Sequence, residues 1–314
     1  MQHKELMKFE EVIVELSYNC NLSCTMCGFG KHVNPFHKSK FLPFESYKEI
    51  LEQVGEISNT IRLNGRGEST IHPDFKEILD YTKERFPQLN VNLFSNMSFG
   101  NDKILQSLIK NDVQLFISMD SANKQNLVAI RRGAKFEHII NNITKLKSLS
   151  KRPFIIFTIQ EENLFEIAEI AKFAFENNCH ILFNTIRRDK GIEVFVKLVR
   201  DNKEEIKQQF NQVAELYSNS SLQYHLPDQL AGITLNSEYT KQTHGSMQTC
   251  PILDKELCIL FDGTVTPCNM FNPYIYGNIK EQGLKDIWEG SKRKDFLTSH
   301  KYHYYCNNCA NLGM

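Results

Sequence analysis

Six short runs rich in β-branched and aromatic residues recur between residues 11 and 186, and a longer stretch of helical periodicity separates each from the next. The runs are EVIVEL (11–16), TIRL (60–63), NVNLFS (90–95), VQLFIS (113–118), PFIIFTI (153–159) and HILFNTI (180–186), and all read as strands. Between them, residues 45–57, 74–86, 102–110, 136–149 and 163–178 place apolar side chains at i, i+3 and i+4, the spacing of an amphipathic helix. His72-Pro73-Asp74 predicts one helix entry, with Pro near the first turn and Asp as cap. Such alternation calls for parallel strands joined by right-handed crossovers, as an open doubly wound sheet or as a barrel. The strands alone do not choose between the two.

The pattern changes from Gly191. Residues 200–217 predict one more helix, and the stretch that follows to about residue 247 has no sustained period and reads as a connector. ELCILFDGTVTPC (256–268) then reads as a hairpin turning at Asp262-Gly263, and residues 283–297 as a helix. The expected organisation is a core over 1–190, a helix and connector over 191–247, and a small C-terminal domain over 248–314.

Lys plus Arg and Asp plus Glu each total 37, so no net basic field favours nucleic acid as a partner. The N-terminus MQHKELMKFE is charged where a signal peptide needs its apolar stretch, and no run reaches the roughly 18 apolar residues of a membrane span. A cytoplasmic setting is therefore expected, without a membrane partner. There thiols stay reduced, and nine cysteines, an odd number spread along the chain, point to metal or catalysis before disulfides.

Three of them, Cys20, Cys24 and Cys27, follow directly on the first strand as C-x3-C-x2-C. Catalytic groups of parallel β/α architectures collect where strands run into their following loops, so the position suits chemistry. Three thiolates on a cubane [4Fe-4S] cluster leave one iron without a protein ligand, and an open metal position can take a substrate or cofactor.

This arrangement resembles the radical S-adenosylmethionine (SAM) superfamily. The resemblance implies a partial (β/α)6 TIM-type barrel whose open iron chelates SAM; reductive cleavage then yields a 5′-deoxyadenosyl radical that abstracts a substrate hydrogen. LNGRGES resembles the superfamily's glycine-rich segment, which implies that Gly65, Gly67 and Glu68 hold the SAM amino group. By the same resemblance Asn96 in FSNMS lies in a SAM-binding loop, and Ser118 and Asp120 in ISMDS bind the ribose hydroxyls. Met26 stands where an adenine-facing aromatic is usual, and Arg131 or Arg132 reaches the SAM carboxylate.

Cys250, Cys268, Cys306 and Cys309 form a second set, and by chemistry alone four thiolates close either a zinc site or an iron-sulfur cluster. The segment around them resembles the twitch or SPASM region of radical SAM enzymes, a β-hairpin plus helix, which implies an auxiliary [4Fe-4S] cluster. Cys258 and Cys179 remain. Free cysteine is commonly a small buried hydrophobe, but radical epimerases resemble this chain in carrying an extra cysteine near the auxiliary ligands, which implies that Cys258 returns a hydrogen atom to the substrate. Arg187, Arg188, Gln160 and Asn163 follow strands six and five, where they can anchor a substrate; His32 and His37 read as surface histidines, and the histidines of HKYHYYC as packing near the last cysteines.

The resemblance thus implies epimerisation of a sugar, aminoglycoside or peptide, or alternatively dehydrogenation with the auxiliary cluster as electron acceptor, fed by an external donor such as flavodoxin or ferredoxin. A non-catalytic zinc or electron-transfer protein is the reading from another class, and it leaves Gly65, Gly67 and Glu68 without a task.

Overall fold

The computed structural model describes residues 7–28, 40–147, 149, 151–186, 192–235, 250, 252–269, 273–303 and 306. The strand and helix series runs β1 (Glu11–Val14), α1 (Phe44–Val54), β2 (Thr60–Arg62), α2 (Phe75–Arg85), β3 (Asn90–Ser95), α3 (Asp102–Lys110), β4 (Gln114–Ser118), α4 (Lys124–Ile130), α5 (Phe136–Leu146), β5 (Phe154–Ile159), α6 (Ile167–Glu176) and β6 (His180–Thr185). It continues with α7 (Ile192–Asp201), α8 (Lys203–Tyr217), β7 (Tyr224–His225), β8 (Gln229–Leu230), β9 (Ile233–Thr234), β10 (Glu256–Ile259), β11 (Thr264–Thr266), β12 (Gly277–Asn278), α9 (Leu284–Trp288) and α10 (Ser291–Ser299).

Strands β1 to β6 pair in sequence order and in parallel, each within two residues of its expected bounds, as the β/α alternation requires. The order β12-β11-β10-β1-β2-β3-β4-β5-β6-β7 is linear, and no pairing among the described residues joins its ends, so the architecture is a partial TIM-type (β/α)6 barrel. Both edges are extended from the C-terminal third of the chain. The expected connector contributes β7, which pairs parallel to β6, and the small β8–β9 hairpin. The expected C-terminal hairpin is β10–β11, and β10 pairs parallel to β1 in the register Ile13↔Cys258.

Period-2 alternation sorts the strand side chains onto two faces. Val12, Val14, Ile61, Leu93, Ile117, Ile155, Phe157, Ile181 and Phe183 face the helices and join Ile50, Leu79, Leu108, Ile143 and Ile170 in one buried core. Each such side chain contributes about 1.5–3 kcal/mol by leaving water. The opposite face, the barrel interior, carries Ile13, Arg62, Asn92, Phe94, Phe116, Ser118, Phe154, Thr158 and His180 in the observed registers. Phe94 stacks on Phe116 at 4.5 Å and Phe116 on Phe154 at 5.2 Å, forming a cross-strand aromatic row.

Local chemistry sets the helix starts, with one correction. Asn101 caps α3 by accepting from the Lys103 N–H, and Asn123 caps α4 by accepting from the Gln125 and Asn126 N–H groups. Asp74 does not cap α2 with its side chain; instead the His72 ring accepts from the Asp74 N–H through Nδ1 and donates through Nε2 to the Leu42 carbonyl. Arg131 ends α4, at the turn into α5. Among the described residues, no helix is long and apolar enough to cross a membrane.

Candidate active site

Cys20, Cys24 and Cys27 lie in the loop beyond β1, at the carboxyl ends of the barrel strands, and all three are partly buried. The loop is pinned by backbone bonds to the turn after α4, from Ser23 N–H to the Arg132 carbonyl and from Thr25 N–H to that of Ile130. Burial pushes the Cys20 thiol up to about 12 against the Leu22 N–H that favours its thiolate, and Cys20 also senses Cys24 and Cys27 electrostatically. Burial raises Cys24 too, opposed by the Arg131 guanidinium. Met26 packs against the core edge between the last two cysteines.

The loop after β2 meets this cysteine loop at very short range. Gly67 N–H donates to Ser17 and Glu68 N–H to the Asn19 carbonyl, at 3.2 and 2.8 Å. A Cβ on Gly67 would lie 2.2 Å from the Asn19 carbonyl oxygen, and one on Gly65 would lie 2.5 Å from the Glu15 carboxylate, so both glycines permit loop-on-loop packing. The Glu68 carboxylate is buried and accepts from Thr70 N–H and Oγ1, Ser95 Oγ and Asn96 N–H. Burial raises its pKa while these four donors oppose the shift. Asn96 in turn donates through Nδ2 to Asn21 Oδ1 at 2.9 Å, tying the loop after β3 to the cysteines. Glu68 and Asn96 therefore join three strand-end loops into one unit.

Asp120, on the loop after β4, has protein partners that the sequence did not show. Its carboxylate has 0% exposure, takes the Thr158 N–H on Oδ1 at 2.7 Å, and lies 2.7 Å from Arg131 Nε through Oδ2. Ser118, at the end of β4, is half-buried on the barrel interior. Arg131 points its Nη1 at the Cys24 sulfur, 4.0 Å away. Arg132 is exposed, which separates the two arginines the sequence left equivalent.

At the far edge of the sheet Cys250, Cys268 and Cys306 are partly buried; Cys309 lies outside the described residues. Thr266 at the end of β11 donates to the Cys268 carbonyl, and Cys306 N–H donates to that of His303. Tyr274, Tyr276, Phe296 and His303 pack alongside, His303 flat on Phe296 at 5.5 Å, so the HKYHYYC histidines are packing groups.

Two family models match the chain: the radical SAM superfamily over residues 14–174, and an iron-sulfur cluster-binding domain, SPASM, over 250–310. The first spans slightly more than half of the 314 residues. The chain belongs to the radical SAM superfamily. It is similar to the tungsten-containing aldehyde ferredoxin oxidoreductase cofactor-modifying protein of Pyrococcus furiosus, 25% identical across 95% of this chain and 86% of that one. It is also similar to the AdoMet-dependent heme synthase of Methanosarcina barkeri, 27% identical across 88% of this chain and 81% of that one. Among solved structures it resembles native anSMEcpe with bound AdoMet and Cp18Cys peptide, with TM-score 0.70, 20% identity, and coverage of 95% of this chain and 85% of that one. Radical SAM and SPASM domains together imply a SAM-binding [4Fe-4S] cluster, an auxiliary [4Fe-4S] cluster and SAM as cofactors.

The radical SAM residues fit that cofactor. Among the described residues, both carboxamide atoms of Asn19, Gln160 Nε2, Thr25 Oγ1 and Asn64 Oδ1 are buried with no hydrogen-bond partner. Each costs about 1–3 kcal/mol when left unpaired. All follow β1, β2 or β5 at the carboxyl end of the barrel, where a polar cofactor would pair them. Among the described residues no three His, Cys, Asp or Glu side chains converge on a single-ion site.

Cys258 lies on β10 with 2% exposure, opposite Ile13 and Thr266 on the interior face. Burial holds the thiol protonated, up to about 12, against a Thr266 hydroxyl hydrogen bond, with Glu15, Arg62 and Glu256 in electrostatic range. Beneath it Arg62 bridges Glu11 at 2.5 Å and Glu256 at 3.5 Å. Above it the wholly buried Glu15 takes Arg66 Nε and Nη2 at 2.8 and 2.6 Å and the Phe261 N–H at 3.4 Å. Cys179 is a core residue by contrast, its S–H donated to the Asn177 carbonyl.

Glu15 and Arg66 escaped the sequence reading. Strand alternation carried a usable signal, since Glu11, Ile13 and Glu15 share one face, and two glutamates on a barrel interior need cationic partners. Gln160 is fully buried, and Asn163 donates to the Asp120 and Thr158 carbonyls, whereas His32, His37, Arg187 and Arg188 lie outside the described residues.

Proposed function

We propose that this radical SAM enzyme removes a hydrogen atom from a peptide or sugar carbon and that Cys258 returns one from the opposite face, so that the net reaction is epimerisation. Cys20, Cys24 and Cys27 would hold the SAM-binding cluster, and Cys250, Cys268, Cys306 and Cys309 the auxiliary one. When bound, these groups supply one-electron cleavage of the SAM sulfonium and the hydrogen abstraction that follows. SAM's polar groups would meet Asn19, Asn64 and Gln160, and Arg131, oriented by Asp120, places a cation beside Cys24.

The observation that carries the reading is the Cys258 thiol, protonated and facing the barrel interior between two charged networks. In the return step the S–H bond breaks and a C–H bond forms, leaving the sulfur one electron and one proton short. Both must come from a one-electron donor of flavodoxin or ferredoxin type and from solvent. A peptide substrate is favoured by the bound peptide in the solved neighbour anSMEcpe.

Anaerobic turnover in D2O with SAM, dithionite and a peptide or aminoglycoside encoded or made by neighbouring genes tests this. One solvent deuterium at an inverted carbon is expected, with loss of inverted product in Cys258→Ala. A carbonyl or cross-linked product without deuterium, or full epimerisation by Cys258→Ala, would reject it in favour of net dehydrogenation.

A further inference from the structure

Tyr276 immediately precedes β12, and its N–H donates to the Val265 carbonyl at 2.8 Å, so the hairpin fixes its backbone next to the strand that runs into Cys268. Its ring is held edge-on by Trp288 at 6.3 Å and by Phe296 at 5.8 Å, and the residue is 3% exposed. Phenylalanine would satisfy that apolar packing equally well. The hydroxyl is the anomaly: it is buried with no hydrogen-bond partner among the described residues, which costs about 1–3 kcal/mol. Arg293, the Cys268 thiol, Asp254 and the Cys306 thiol all lie within its electrostatic reach, and burial raises the phenol above its usual range. A phenolic O–H is a donor seeking an acceptor, and the sulfurs of an iron-sulfur centre are acceptors.

We propose that Tyr276 donates a hydrogen bond to a sulfur of the auxiliary cluster and thereby raises the reduction potential of that cluster. Reduction adds negative charge to the sulfurs, a hydrogen-bond donor stabilises that charge, and removal of the donor lowers the potential. The inference rests on the assignment of Cys268 and Cys306 as ligands in the proposed function. Tyr276 is a positioning and tuning residue, since its hydroxyl reaches the metal centre through sulfur and touches no reacting atom.

The test uses the full chain with Cys20→Ala, Cys24→Ala and Cys27→Ala, reconstituted anaerobically so that only the auxiliary cluster is present, with and without Tyr276→Phe. Equal iron and sulfide content is expected in both, with a midpoint potential lower in Tyr276→Phe by about a tenfold change in the oxidised-to-reduced ratio, 59 mV for one electron. Fe–S resonance Raman bands should shift between H2O and D2O in the parent, and part of that shift should vanish in Tyr276→Phe. Equal potentials with an intact cluster would overturn the proposal. So would Fe–S bands in the parent that do not move in D2O, a result that needs no substitution at Tyr276. Iron retained when Cys268 and Cys306 are both replaced by Ala would instead overturn the ligand assignment, and the proposal with it.

Discussion

Asp120 meets Arg131 Nε at 2.7 Å, and Arg131 in turn extends Nη1 to within 4.0 Å of the Cys24 sulfur. A carboxylate on the loop after β4 thereby sets the direction of a cation at the cysteine loop after β1. Asp120→Asn leaves the buried guanidinium uncompensated, a change that costs about 3–5 kcal/mol. Lower melting temperature and weaker SAM binding, measured by calorimetry on reconstituted enzyme, are the expected outcomes. Wild-type values in both measurements would remove the positioning role.

Gly67 and Gly28 make a contrasting pair. A methyl at Gly67 runs into the Asn19 and Ser17 carbonyls, whereas one at Gly28 has nothing within 4 Å among the described residues. Gly67→Ala should reduce iron incorporation at the first cluster several-fold by pushing the two loops apart, and Gly28→Ala should leave it near wild type. Iron and sulfide assays after anaerobic reconstitution decide, and equal iron in the two variants would contradict the loop-on-loop account.

Glu15 joins β1 to Arg66 after β2 and to Phe261 in the turn after β10. Glu15→Gln should destabilise the fold by about 3–5 kcal/mol, because the partner cation stays partly buried without its counter-charge. Amide exchange at Phe261 should rise along with that loss. Unchanged protection at Phe261 in the variant would mean that the glutamate does not tether the hairpin.

Cys179 carries an alkaline prediction. Burial raises its thiol from 9.0 to about 12, so its stabilising contribution is complete below pH 9 and disappears as pH climbs toward 12. In that window the unfolded chain loses a proton that the folded chain keeps, and stability falls by up to about 1.4 kcal/mol per pH unit from this group. Cys179→Ala should flatten the slope by that amount in urea titrations at pH 9 to 11. An identical slope in wild type and variant would refute the assignment.

The barrel strands were legible because a half-buried strand must be β-rich and a covering helix must repeat its apolar face, and both are local patterns. The cysteine spacing and the glycine-rich segment were legible for the same reason, since each is a short loop whose composition follows from what it must approach. The partners of Asp120, Glu68 and Glu15 were not. They lie 11, 27 and 51 residues away in Arg131, Ser95 and Arg66, and a carboxylate in a sequence does not show whether protein or ligand will satisfy it.

The chain order by itself determined a parallel β/α series with a thiol-bearing loop after its first strand and a cysteine-bearing hairpin after it, and the family resemblance implied the barrel. Only the tertiary structure decided that this hairpin pairs with β1, which sets Cys258 beside Ile13 on the barrel interior. The reason is that strand pairing between segments some 245 residues apart is chosen by edge hydrogen bonds and buried surface, which no local periodicity records.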